Sequence, residues 1–170
     1  VADGRKAGLK KFLRYWLPPL VWMAVIFPLG GKGLKSYKLY RLFMGVLHTV
    51  LPRVSWELAH TAYTLFRKSL HFFGYALLAW LLYRAFRAGG PPNWKKEWAL
   101  RAGGVAVFYG FLDEFLQGFI RTRNASPFDW LIDSAGIAFA LLVIRAVTRA
   151  LDKPASQAAA PPEDSAGRSS

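Results

Sequence analysis

Most of the side chains in this chain that could do chemistry fall into four short groups. Lys68, His71 and Tyr75 are spaced i, i+3 and i+7; Asp113, Glu114 and Gln117 follow within one run; Arg121 and Arg123 come next; Asp129, Asp133 and Gly136 are spaced i, i+4 and i+7. On a helix such spacings put each of the first and last sets on one face. An imidazole among carboxylates is equipment for general acid–base work, with Glu114, Asp113 and His71 as the candidate catalytic groups. Lys68, Arg121 and Arg123 offer charge-assisted hydrogen bonds to a phosphate or carboxylate. The expected ligand-binding set is therefore Lys68, His71, Tyr75, Asp113, Glu114, Gln117, Arg123, Asp129 and Asp133.

Other chemistries lack their residues. The chain has no cysteine, which removes disulfides, thiolate metal sites and thiol nucleophiles. Neither a His-x-x-x-His pair nor another close ligand pair is present, so no metal site and no cofactor are expected.

These groups sit in elements of unusual composition. Apolar residues make up 54% of the 170 residues and aromatics 16%, more than a soluble fold of about 45–50% apolar content needs. The apolar residues fall in blocks of roughly 17–22 bracketed by Lys or Arg, which fits the thickness of a bilayer. An all-α polytopic membrane protein follows, with four transmembrane helices at about 15–30, 70–87, 99–120 and 128–147. The net charge of +13 is spread over the block ends and forms no single stripe. Snorkelling anchors give that pattern, and a nucleic-acid partner is not expected.

Pro18 and Pro19 fall at the start of the first span, where a missing N–H does least harm. Trp16 and Trp22, and the absence of a small-x-small site after Phe27-Pro28-Leu29-Gly30-Gly31, oppose a cleavable signal. Residues 32 to 67 alternate basic and aromatic side chains, as an interfacial helical segment does, and Pro52 divides them before a second segment that Ser55 caps. Gly89-Gly90-Pro91-Pro92-Asn93 makes a tight turn. Ser126-Pro127 opens the last helix. Residues 1–150 thus form one domain, and the Ala-, Pro- and Ser-rich residues 151–170 are expected to be a disordered tail. Fourteen basic residues on the side of both termini against nine on the other place the termini in the cytoplasm under the positive-inside rule.

With spans running up and down, the start of the second, the end of the third and the start of the fourth share one membrane face, so the polar groups should converge there. Ala102, Ala106, Gly110 and Glu114 recur every four residues, a small-residue stripe along which helices approach closely. Glu114 inherits that packed face, roughly 9 Å deep, whereas Asp113 lies about 100° round the helix and is expected nearer the headgroups. A converged cluster serves four ends: binding an amphiphile, acid–base catalysis on a membrane lipid, proton-linked transport, or simple interhelical bonding.

The order of these motifs also carries a resemblance. Lys68 to Tyr75 (KSLHFFGY), Asp113 to Gln117 (DEFLQ), Arg123, and Asp129 to Gly136 (DWLIDSAG) together resemble the VanZ-like family, with weaker support from Trp16, Pro18 and Trp22. There are departures: Arg121-Thr122-Arg123 stands where many members have Pro-Gly-Arg, and Leu116 where histidine is frequent. The resemblance implies a multi-pass plasma-membrane protein of the cell envelope. Its name-giving member is associated with low-level resistance to the glycopeptide teicoplanin, so the implied partners are membrane lipids and a lipoglycopeptide or lipid-linked envelope ligand.

Overall fold

The computed structural model describes residues 2–29, 34–91, 93–118 and 127–158. Within them are six helices: α1 (Ala2–Tyr15), α2 (Leu17–Leu29), α3 (Leu34–Val50), α4 (Trp56–Arg87), α5 (Lys96–Gly118) and α6 (Pro127–Ala158). The described residues hold no strand.

Local sequence explains the ends. Pro18 and Pro19 occupy the first turn of α2, where their fixed φ is suited to the helix. Ser55 caps α4, its hydroxyl accepting from the Leu58 N–H at 3.3 Å. At the other end Ala88 adopts the left-handed conformation, and its N–H closes back on the Arg84 carbonyl. Gly89 follows at φ 80°, a conformation that glycine adopts without penalty.

Two helices are longer than their sequences suggest. The interfacial segment expected from Ser55 to Arg67 is not separate from the second span: both belong to α4, whose 32 residues extend about 48 Å. Nothing between Arg67 and Leu70 interrupts it, since neither Gly nor Pro occurs there. Likewise α6 continues to Ala158, past residue 150 where an unstructured tail is expected, although Pro154 lies in that last stretch.

The core is a three-helix unit of α4, α5 and α6, with α2 laid against α4. Chain direction reads off the contacts. Tyr83 stacks on Trp94 and Tyr75 faces Tyr109, so α4 and α5 are antiparallel. Gly110 approaches Trp130 and Gly103 approaches Leu141, so α5 and α6 are antiparallel as well. α4 and α6 therefore run parallel, and Gly136 brings their backbones together: a Cβ at 136 would collide with the Phe72 carbonyl. Ala79, Ala102 and Ala106 are fully buried along the same seams. Small residues are what permit that closeness.

α2 is fixed by two side chains that bond to backbone. Trp22 Nε1–H donates to the Gly74 carbonyl at 2.9 Å, and the Tyr109 hydroxyl donates to the Met23 carbonyl at 2.6 Å. Trp16 meets Phe86 edge-on, so α2 is antiparallel to α4. α3 packs on the N-terminal half of α4, Tyr40 and Phe43 against Tyr63 and Phe66.

Only part of the expected membrane architecture is visible by composition. One helical stretch among the described residues, Phe128–Leu151, is both long enough and apolar enough to cross a bilayer. α2 has 13 residues, short of about 20. α4 is interrupted by His71 and Arg84, and α5 by Arg101, Asp113 and Glu114.

Candidate functional site

The seam between α4 and α6 carries a two-rung polar ladder. His71 Nδ1 lies 3.2 Å from Asp133 Oδ1, and one turn earlier Arg67 Nη2 lies 3.5 Å from Asp129 Oδ2. Each rung joins residues 62 apart, because parallel helices advance together. The close approach at Gly136 and Phe72, three residues after Asp133, sets the register.

The rungs differ in environment. Asp133 is 2% exposed and His71 16%, whereas Arg67 retains 38% exposure. An ionised carboxylate only accepts, so with Asp133 charged Nδ1 carries the shared proton, and Nε2 accepts in the neutral ring or donates in the imidazolium. Arg67 uses one of its five N–H donors on Asp129 and keeps the others available.

α5 contributes the remaining acids. Glu114 is 9% exposed, at the end of the buried stripe Ala102, Ala106 and Gly110, but Asp113 is more deeply buried still, at 2%. The packed side of α5 thus includes Asp113 as well as Glu114. α5 packs against α4 and α6, and Tyr109, one turn before Asp113, reaches the Met23 carbonyl of α2. Tyr75 is fully buried, its ring against Gly110 and its hydroxyl within electrostatic reach of Asp133, Asp113 and Glu114. That hydroxyl makes no hydrogen bond among the described residues.

Lys68, the expected basic partner, is half-buried, and it is its neighbour Arg67 that meets Asp129. Sequence reading missed Arg67 by one residue; the signal was its i, i+4 relation to His71, matching Asp129 and Asp133. Arg121, Arg123 and the Gln117 side chain lie outside the described residues. No three His, Asp or Glu side chains come together as cation ligands among those described.

Beside the ladder is a cavity of about 300 Å³, at the lower edge of typical ligand-pocket sizes. Trp22 and Ile26 from α2, Leu39 from α3 and one side of α4 enclose it, and Arg67 and His71 reach it. The polar rungs and the apolar cavity thus share a wall.

The motifs that place these groups run in one order along the chain, and the family whose description is VanZ/LLP1 matches residues 15–148. The chain belongs to the VanZ/LLP1 family. No curated protein and no solved structure matches it. Within the VanZ/LLP1 region fall α4, α5, most of α6, α2 with its two anchoring bonds, and every residue of the ladder. Most of α1 and the end of α6 lie outside it.

Proposed function

We propose that this VanZ/LLP1 chain is a multi-pass plasma-membrane protein whose cluster of polar groups, at the outer end of the bundle, binds the headgroup of an amphiphile. The observation that carries this reading is an inverted distribution of polarity. Asp113, Glu114 and Asp133 are buried, while Phe73, Phe108 and Leu142 on three different helices are each more than half exposed. Large apolar side chains exposed on every helix of the core, above buried acids, are the reverse of a soluble fold, and lipid is the solvent that rewards them. In this reading residues 15–30, 70–87, 99–120 and 128–147 span the bilayer, residues 1–150 form one domain, and both termini with the tail are cytoplasmic.

The ladder and the cavity supply the binding chemistry. His71, fixed by Asp133, and Arg67 present a hydrogen-bonding atom and a cation beside apolar walls, with Lys68 next to Arg67 in the chain adding charge. A lipid headgroup fits those groups. So does the acyl-bearing part of a lipoglycopeptide, which would link the site to the glycopeptide resistance associated with the family's name-giving member.

The test is lipid retention. Chain purified in mild detergent should carry a defined lipid class, identified by mass spectrometry after extraction, and Arg67→Ala and His71→Ala should each lose most of it. Retention unchanged in both variants would remove the reading.

A second reading draws on one observation, the buried Asp133 holding His71 as a carboxylate holds the histidine of a catalytic dyad. His71 then serves as general base or acid toward an envelope lipid. Turnover of lipid-linked substrates that disappears in His71→Gln, with lipid retention preserved, distinguishes catalysis from binding alone.

A further inference from the structure

The cavity has a polarity gradient along its length. On α4 its wall runs from Arg67 to Leu77 and includes Phe73 and Tyr75 as well as Leu70, His71 and Gly74, about 15 Å along the helix axis. Arg67 and His71 stand at one end; Gly74 and Leu77 form the other. Across from them Trp22, Ile26 and Leu39 contribute apolar surface, and the one indole N–H is already committed to the Gly74 carbonyl.

Gly74 makes this slot continuous. A Cβ built there meets nothing within 4 Å, so its absence does not serve helix packing as the absence of a Cβ at Gly136 does. It leaves room in the slot. A glycine in mid-helix is destabilising by roughly 0.5–1 kcal/mol relative to alanine, and vacant space beside it points to an occupant.

From these features we infer that the slot takes one acyl chain of an anionic amphiphile, lying parallel to α4, with its carboxylate or phosphate on Arg67 and in reach of His71. This deepens the headgroup reading and rests on it. The charge fits, since Arg67 is exposed and holds spare donors, and its pairing to Asp129 at 3.5 Å is long for a charge-assisted bond of about 2.7–2.9 Å. A bound anion competes with Asp129 for the guanidinium. Asp133 acts as a positioning residue: it holds the ring through Nδ1, so that Nε2–H of the imidazolium can donate to the anion.

The experiment uses the full chain in maltoside micelles with three probes of equal chain length: laurate, dodecyl phosphate and dodecanol. Binding is followed by native mass spectrometry. Laurate and dodecyl phosphate should bind one to one, at least tenfold tighter than dodecanol, and the stronger of the two identifies the headgroup chemistry. Arg67→Gln should bring both anions to the dodecanol level. Gly74→Leu should weaken all three at least tenfold, with the thermal midpoint of the protein not lowered. Should Gly74→Leu unfold the chain, Leu77→Phe replaces it, and hexadecyl phosphate should then lose more affinity than octyl phosphate. Binding that survives the slot-filling variants but not Arg67→Gln overturns the chain placement and leaves the headgroup reading standing. Binding indifferent to all of these variants overturns both.

Discussion

His71 on α4 and Asp133 on α6 face each other at 3.2 Å, and the carboxylate of the pair is the more deeply buried member. That asymmetry decides how the pair responds to being broken. Removing the imidazole strands a charge at a site that is 2% exposed, whereas removing the carboxylate leaves a neutral ring that is 16% exposed.

His71→Leu should therefore destabilise the protein more than Asp133→Leu, by about 1–3 kcal/mol, the penalty of a buried unsatisfied polar group. The double variant should be more stable than His71→Leu alone, because an apolar pair replaces an orphaned acid. Thermal unfolding in detergent checks the ordering; a double variant less stable than either single one would contradict it.

The two glycines on the α4 and α6 faces predict opposite outcomes. Gly136→Ala drives a methyl into the Phe72 carbonyl, and the forced backbone shift should cost about 1–3 kcal/mol, as overpacking does. Gly74→Ala meets open space and gains helix propensity, so it should raise stability by up to about 1 kcal/mol. Chemical-denaturant midpoints for the two variants should fall on opposite sides of the parent.

Part of this was legible beforehand, and the reasons are local. The Ser55 cap, the prolines opening α2 and the turn at Gly89 each follow from one residue's own chemistry. His71 and Asp133 were legible because an ionisable group in an apolar run needs a partner. What was not legible depends on distant geometry. Choosing Arg67 over Lys68 requires knowing that α4 and α6 are parallel and offset by 62 residues. The burial of Asp113 requires knowing how α4 and α6 pack on α5, partners that lie far from it in sequence. The continuity of α4 through Arg67-Lys68-Ser69 was hidden because a drop in hydropathy resembles an element boundary, although nothing there breaks a helix.

The outer rung should matter for ligand and little for the fold. Arg67 is 38% exposed, and surface ion pairs contribute about 0–1 kcal/mol. Asp129→Asn should thus leave the thermal midpoint nearly unchanged. By releasing the guanidinium it should strengthen binding of dodecyl phosphate. A weakened interaction with that probe would mean that Asp129 orients Arg67 for the anion and does not compete with it.

The proposed topology can be tested without background, because the native chain contains no thiol. Tyr15 lies against Gly89, so the start of α2 and the α4–α5 turn share one end of the bundle. Arg53, in the turn between α3 and α4, lies beyond the opposite end of the proposed span, since α4 extends about 48 Å. Single cysteines at Lys6, Arg53, Lys96 and Arg149 should therefore divide three to one. An impermeant maleimide applied to intact cells should label Arg53→Cys, and the other three should react only after lysis. Labelling of Arg53→Cys and Lys96→Cys from the same side would show that α4 does not cross the membrane. Without that crossing, the ladder has no reason to lie where a lipid headgroup from the outer leaflet can reach it.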